Sequence, residues 1–174
     1  MKKNLLLLAA MFCSIMALTS CGDDNDEPKV KDSITCTYQV ELTADMHEIC
    51  DNILVYYMDN NEVKTAVIQP GTTTWTKTVT NYTNSKGVTF AARLAPSLNE
   101  NSLKDGETYD LAVIYGFKFV GSNDFSFTPQ KIICKKSDGV PANKVKSWIT
   151  NWCKDSKGFK FNDFNFSTVS PQLP

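Results

Sequence analysis

Ser33-Ile34-Thr35-Cys36-Thr37-Tyr38-Gln39-Val40-Glu41-Leu42-Thr43 decides the fold. Ile34, Cys36, Tyr38, Val40 and Leu42 fall on one side of a period of two, with Thr35, Thr37, Gln39 and Glu41 on the other. Successive side chains of a strand point to opposite faces, so the pattern predicts a strand with one face buried and one wet.

The same reading extends along the chain. Asn52 to Met58 is an apolar strand, Asp59-Asn60-Asn61-Glu62 a tight turn, and Val63 to Ile68 the return arm of a hairpin. Pro70-Gly71 breaks the chain, and Thr72 to Thr80 follows with Trp75 and Val79 facing inward. Beyond the turn Asn84-Ser85-Lys86-Gly87, an inward row forms from Val88, Phe90, Ala92 and Leu94. Pro96 to Gly106 reads as a polar loop. Tyr109, Leu111, Val113, Tyr115, Phe117 and Phe119 line one side of the longest strand, and Phe125 to Cys134 returns. Pro129 there marks an edge or a bulge. About seven strands, at spacings near ten residues, with no helical crossover, predict an antiparallel β-sandwich.

One short C-terminal helix is expected after Pro141, where Val145, Trp148, Ile149, Trp152 and Cys153 share a face and Lys157-Gly158 ends it. A terminal hairpin follows in Gly158-Phe159-Lys160-Phe161-Asn162-Asp163-Phe164-Asn165-Phe166. With Asn162-Asp163 as its turn, Phe161 pairs with Phe164 and Phe159 with Phe166, all on one face. Gly116-Phe117-Lys118-Phe119 and Asn123-Asp124-Phe125-Ser126-Phe127 echo it, setting Phe119 against Phe125 and Phe117 against Phe127.

At the N-terminus, Met1-Lys2-Lys3-Asn4 precedes an apolar stretch from Leu5 to Leu18. That length suits a signal peptide and is short of the roughly twenty residues of a membrane span. Leu18-Thr19-Ser20-Cys21 resembles the bacterial lipobox, which implies lipidation of Cys21 and cleavage immediately before it; the alternative is an ordinary secretory leader. Gly22-Asp23-Asp24-Asn25-Asp26-Glu27-Pro28 cannot enter a core and reads as a solvated tether spanning about 20 Å. The acidic run is similar to the surface-export signal of Bacteroidota lipoproteins; a plain spacer is the alternative. The expected organisation is a lipoprotein signal peptide over 1–20, an acidic flexible tether over 21–33, and one β-sandwich domain over 34–174 that includes the helix and hairpin.

The chain of 174 residues has 18 Lys and Arg against 19 Asp and Glu. It shows no basic stripe, which argues against nucleic acid. Cys36, Cys50, Cys134 and Cys153 remain besides Cys21; in an oxidising compartment one or two disulfides are plausible, with three full pairings open and buried free thiols as the competing reading. No Cys-x-x-Cys occurs and His47 is the single histidine, so no metal or cofactor is assigned. His47 lies in Asp45-Met46-His47-Glu48, read as a polar loop, with Cys50 three residues on and no serine in a nucleophile elbow. Asp45, Glu48, Asp51, Glu107 and Asp110 form no nameable pair, and Asp59-Asn60-Asn61-Glu62 and Ser122-Asn123-Asp124 offer calcium-type oxygens without an EF-hand pattern. No catalytic residue is assigned and the chain is read as non-enzymatic.

Trp75, Phe159, Phe161, Phe164 and Phe166 are the candidate ligand-facing aromatics; the competing reading makes them core. The organisation of the whole chain resembles small Bacteroidota lipoproteins, and Thr35 to Thr80, with its Thr-Thr-Trp-Thr-Lys-Thr-Val, looks like their immunoglobulin- or transthyretin-like sandwiches. That resemblance implies an outer-membrane, surface-exposed protein anchored through the lipid on Cys21. Its expected partner is a glycan or protein; the alternative is an assembly lipoprotein, fimbria-related or accessory to an outer-membrane complex.

Overall fold

The computed structural model describes residues 32–83, 87–122, 130–162 and 165–174. The first strand, β1 (Ser33–Leu42), has the predicted alternation: its five apolar side chains are buried. Helix α1 (Ala44–Ile49) follows, then β2 (Cys50–Asp59), β3 (Glu62–Val67), β4 (Thr74–Tyr82) and β5 (Val88–Leu98). After a 3-10 turn (Glu100–Ser102) come β6 (Thr108–Gly121), β7 (Gln130–Pro141), α2 (Ala142–Cys153), β8 (Lys157–Asn162) and β9 (Asn165–Val169). The fold is mainly β, with a four-stranded sheet ordered β4-β1-β6-β7 and a five-stranded sheet ordered β3-β2-β5-β8-β9. Every pairing is antiparallel. Nine strands replace the expected seven or so, in the predicted two-sheet architecture.

The β2–β3 turn follows from its residues. Asn60 and Asn61 have φ of +52° and +59°. Positive φ at both central positions is what a type I′ hairpin turn needs, and asparagine tolerates it.

The core lies between the sheets and is drawn from residues between Ile34 and Phe161. Tyr38, Phe90, Phe117 and Phe119 are fully buried there. On the outward face of the four-stranded sheet, Thr35 and Thr37 of β1 meet Thr80 and Thr78 of β4, hydroxyl to hydroxyl, at 2.9 and 3.0 Å. Helix α2 packs against β5, β6 and β7. Its Val145, Trp148, Ile149 and Cys153 are buried, and Trp148 Nε1 donates to Ser137 Oγ at 2.9 Å.

Several expectations are corrected. His47 sits in α1 and not in a loop; Met46 and Ile49 of that helix are buried, which fixes its orientation. β5 runs through Pro96 to Leu98, where a polar loop was expected. Pro96 faces Ile53 of β2 and lies beyond Val88–Ala92, the part of β5 that pairs with β8. One flank of the strand is therefore open at the residue without an N–H. Trp152 shares the face of Trp148 and Ile149, but in the last turn of the helix it is 41% exposed. The β7 side chain that meets it is Lys135, whose Nζ lies 4.2 Å from the ring centroid.

The two aromatic hairpins are also re-registered. Asn162 faces Asn165, so Phe161 pairs with Phe166 and Phe159 with Thr168. Phe117 faces Lys131, and Phe125 and Phe127 lie outside the described residues, as do Pro129 and Phe164. Gly158 does not stop the helix but belongs to β8, paired with Ala91. A Cβ at Gly158 would press on Phe90 O and lie 2.5 Å from Ala91 Cβ.

Gly158→Ala is therefore expected to lower unfolding stability by about 2–3 kcal/mol, the cost of overpacking. Gly139→Ala, where a Cβ meets nothing within 4 Å but φ is +64°, should cost about 1 kcal/mol. Urea denaturation of the two variants checks the order.

Candidate functional site

Phe159 and Phe161, two of the candidate ligand-facing rings, are each 4% exposed. Phe159 meets Phe117 at 5.1 Å and Phe161 meets Phe119 at 4.9 Å, both edge to face. Their pairing across the sheets is the aromatic packing of a core, so they are not ligand-facing. Phe166 is half-buried and stacked on Phe159 at 5.3 Å. Trp75 is half-buried with its ring 5.5 Å from Tyr57. Phe164 and Cys21 lie outside the described residues.

The four described cysteines are free thiols, and of the two readings left open for them the buried free thiol applies to Cys36, Cys50 and Cys153. Cys36 points into the core from β1, while Cys134 is exposed on β7 beyond β6. Two strand spacings separate β1 from β7, about 9–10 Å, too far for a disulfide. Cys50 and Cys153 are buried. Burial pushes the Cys153 thiol up to about 12, with neighbouring Cys50 adding to it and Arg93 opposing it. Burial likewise pushes Cys50 up to about 12, with Asp51 adding. Cys36 is raised by burial alone.

His47 presents Nε2 to the Thr72 carbonyl at 2.8 Å, tying α1 to the β3–β4 connection. Asp45 Oδ2 accepts the Asp110 N–H at 2.6 Å, and Asp110 Oδ1 accepts the Gly139 N–H at 2.9 Å. These two carboxylates, which the fold brings together, hold backbone at the end of the β6–β7 pair. Asp51 accepts from the Asn99 amide at 2.7 Å. In the β2–β3 turn, Asn61 Oδ1 accepts the Thr89 N–H at 3.1 Å, so that oxygen serves the backbone. Among the described residues, no group of three or more His, Cys, Asp or Glu is arranged to hold a metal ion.

Sequence reasoning passed over Arg93, the sole arginine of the chain. Its Nε donates to the Cys153 carbonyl at the end of α2 at 2.9 Å, and its Nη1 reaches the Leu173 carbonyl at 3.4 Å and Pro174 O. A cation here satisfies an orphan helix-end carbonyl and complements the helix dipole. Ser170 Oγ donates to Ser156 O at 2.7 Å, and Ser156 Oγ to Pro171 O. Between Lys154–Ser156 and Ser170–Leu173 lies a polar cleft of about 260 Å³. Its hydroxyls are engaged by these bonds. Nothing in Ala-Ala-Arg-Leu-Ala signals that role; only the long-range return of residues 170–174 creates it.

Among the described residues, no helix is long and apolar enough to cross a membrane. No protein-family model, curated protein or solved structure matches this chain.

Because the folded state favours the protonated thiols, their contribution is complete below the ordinary value of 9.0 and lost as pH rises towards 12. The urea midpoint is therefore expected to fall from about pH 9 upward, and Cys153→Ala to flatten that fall. Separately, Arg93→Met should destabilise the fold by about 2 kcal/mol, the scale of a hydrogen bond to a charged group. Hydrogen exchange should rise in the last turn of α2 and in residues 170–174, which identifies the arginine as their clamp.

Proposed function

We propose that this chain is a lipid-anchored, non-enzymatic cell-envelope protein whose sandwich presents a protein-binding surface at the outer membrane. Leu18-Thr19-Ser20-Cys21 and the acidic run after it support the anchor. The burial of Phe159 and Phe161 takes two of the five candidate rings out of any glycan platform and leaves Trp75 and Phe166 half-buried, so the weight moves to protein.

The observation that carries the protein-binding reading is the edge strand β3. Among the described residues its one partner strand is β2, and nearly all of its residues are exposed, Val63 and Val67 at 41% and 49%. Sheet edges invite pairing, and an inward-pointing lysine discourages it. β4 carries exposed Lys77 on the face of Trp75 and Val79, and β7 carries Lys135 on the face that meets α2. On β3, Lys64 stands opposite core Tyr57 and so is on the inward face too, but there it is tied to Glu62 at 2.6 Å. Each is held in the pair, Lys64 raised and Glu62 lowered in pKa by their shared hydrogen bond. An extended segment added there would gain main-chain hydrogen bonds, with Val63 and Val67 as apolar contacts. The same edge supports the second reading, an assembly lipoprotein, in which the added strand belongs to another subunit.

Metabolic labelling with a fatty acid should mark the wild-type chain and leave Cys21→Ser unlabelled and unsedimented with membranes. A wild-type chain that stays unlabelled overturns the anchor. For the edge, a photo-crosslinker at Thr65 on intact cells should give a discrete adduct that Val63→Lys and Val67→Lys abolish; an adduct insensitive to both overturns strand addition.

A further inference from the structure

The backbone of β3 fixes what can pair with it. Ile68, the next residue after the strand, donates its N–H to Ile53 O of β2 at 2.9 Å. Backbone groups alternate between the two flanks of a strand, so Glu62, Lys64 and Ala66 bond to β2 as Ile68 does. Val63, Thr65 and Val67 therefore aim their N–H and C=O groups the other way. Among the described residues no strand lies on that flank. The side chains of these three stand opposite Met58, Tyr56 and Leu54, on the outer face of the sheet, and all three residues are exposed.

An antiparallel partner has to set its own outward-aimed residues against these three. A second copy of β3, related by a twofold axis, can do so in few registers. With the axis at Thr65, Val63 faces Val67 of the second copy, Thr65 faces Thr65, and Lys64 faces Ala66. All three outward-aimed residues then exchange bonds, about six across the pair. Valine meets valine on the outer face, and the small Ala66 leaves room for the Lys64 stem, whose ammonium keeps Glu62. The other registers are poorer. An axis at Lys64 opposes two ammoniums, which is destabilising. An axis at Val63 sets Thr65 against Asn61, whose φ of +59° is not extended backbone. An axis at Ala66 or Val67 carries Val63 past the end of the partner strand.

We propose that β3 pairs with β3 of a second copy of this chain, antiparallel about a twofold axis at Thr65, joining the two five-stranded sheets. The inference rests on the reading of β3 as an open edge and names its occupant. A twofold contact needs one patch that complements itself, and β3 does so with no like charges directly opposed. A six-residue edge is small for an interface, so the dimer is weak and concentration-dependent.

Residues 22–174 serve for the test, because Lys31–Pro174 is one compact unit with its core inside residues 34–161. Cys134→Ser removes the exposed thiol and leaves the buried ones. In that background Lys64→Cys and Ala66→Cys are made as separate chains. The register brings position 64 of one copy to about 4.5 Å from position 66 of the other, Cα to Cα, within disulfide range. Like positions lie diagonally, about 7–8 Å apart, which is out of range. Mild oxidation is expected to cross-link the mixture of the two chains and to leave either chain alone monomeric. In sedimentation velocity, Thr65→Pro should raise the dimer Kd about tenfold or more, since it removes edge N–H groups and none that β2 uses. Val63→Lys should also weaken the dimer, by setting an ammonium against Val67 of the second copy.

A chain that stays monomeric at every concentration and gives no mixed cross-link overturns the proposal. Cross-linking of either chain alone as readily as the mixture does so too. A dimer indifferent to both Thr65→Pro and Val63→Lys would belong to another surface, such as β9, and is equally fatal. A photo-adduct from Thr65 to a different protein on intact cells would still uphold the open edge, so failure of the second copy and failure of the edge are told apart.

Discussion

Two buried tyrosine hydroxyls set how the sheets face each other. Tyr38 of β1 donates across the sandwich to the Met58 carbonyl at 2.6 Å, and Tyr115 of β6 accepts the Leu94 N–H of β5 at 2.8 Å. Apolar contact alone would let two sheets slide, because dispersion and burial are nearly indifferent to small shifts. A hydroxyl in a dry core is not indifferent, since losing its partner costs the desolvation it has already undergone. Burial pushes both phenols far above their ordinary range, so each stays protonated. Around these two fixed points the rings of Phe90, Phe117, Phe119, Phe159 and Phe161 pack edge to face or tilted, except that Phe117 and Phe119 stack.

That packing explains which parts of the fold could be read from sequence. β1, β5 and β6 each turn an apolar row to the core, and although Ala91 and Ala112 are buried on the opposite face, the period of two still reports that row. The Asn60-Asn61 turn was legible because φ above zero is written in its residue types. α1 was not, since six residues make too short a pattern to separate from a loop. The terminal hairpin failed by a two-residue slip. Phe159, Phe161 and Phe166 stay on one face in either register, so the aromatic pattern cannot choose between them. The fold chooses, by setting Asn162 opposite Asn165.

The candidate site was less legible for a related reason. Trp, Phe and Cys are the residues that both cores and binding sites use, and a sequence does not say which side of a strand meets a second sheet. Phe159 and Phe161 became core because β6 supplies rings opposite them; Trp152 became surface because β7 supplies a lysine. Arg93 has no local pattern at all. Its partners lie 60 to 81 residues away in sequence.

With Phe90, Phe117, Phe119, Phe159 and Phe161 turned inward, this sandwich leaves two kinds of surface for recognition beside the exposed rings of Tyr82 and Trp152. One is backbone, exposed where an edge strand lacks a neighbour; the other is charge. The edges are not equivalent. Lys77 and Lys135 point a charge into the space an added strand's partner sheet would fill, so pairing at β4 or β7 would bury an ammonium. At β3 Lys64 is on the inward face as well, opposite Tyr57, but it is joined to Glu62, and a pair this exposed yields or rearranges at little cost. Directional strand pairing is thereby left to the edges of the five-stranded sheet, β3 and the lysine-free β9.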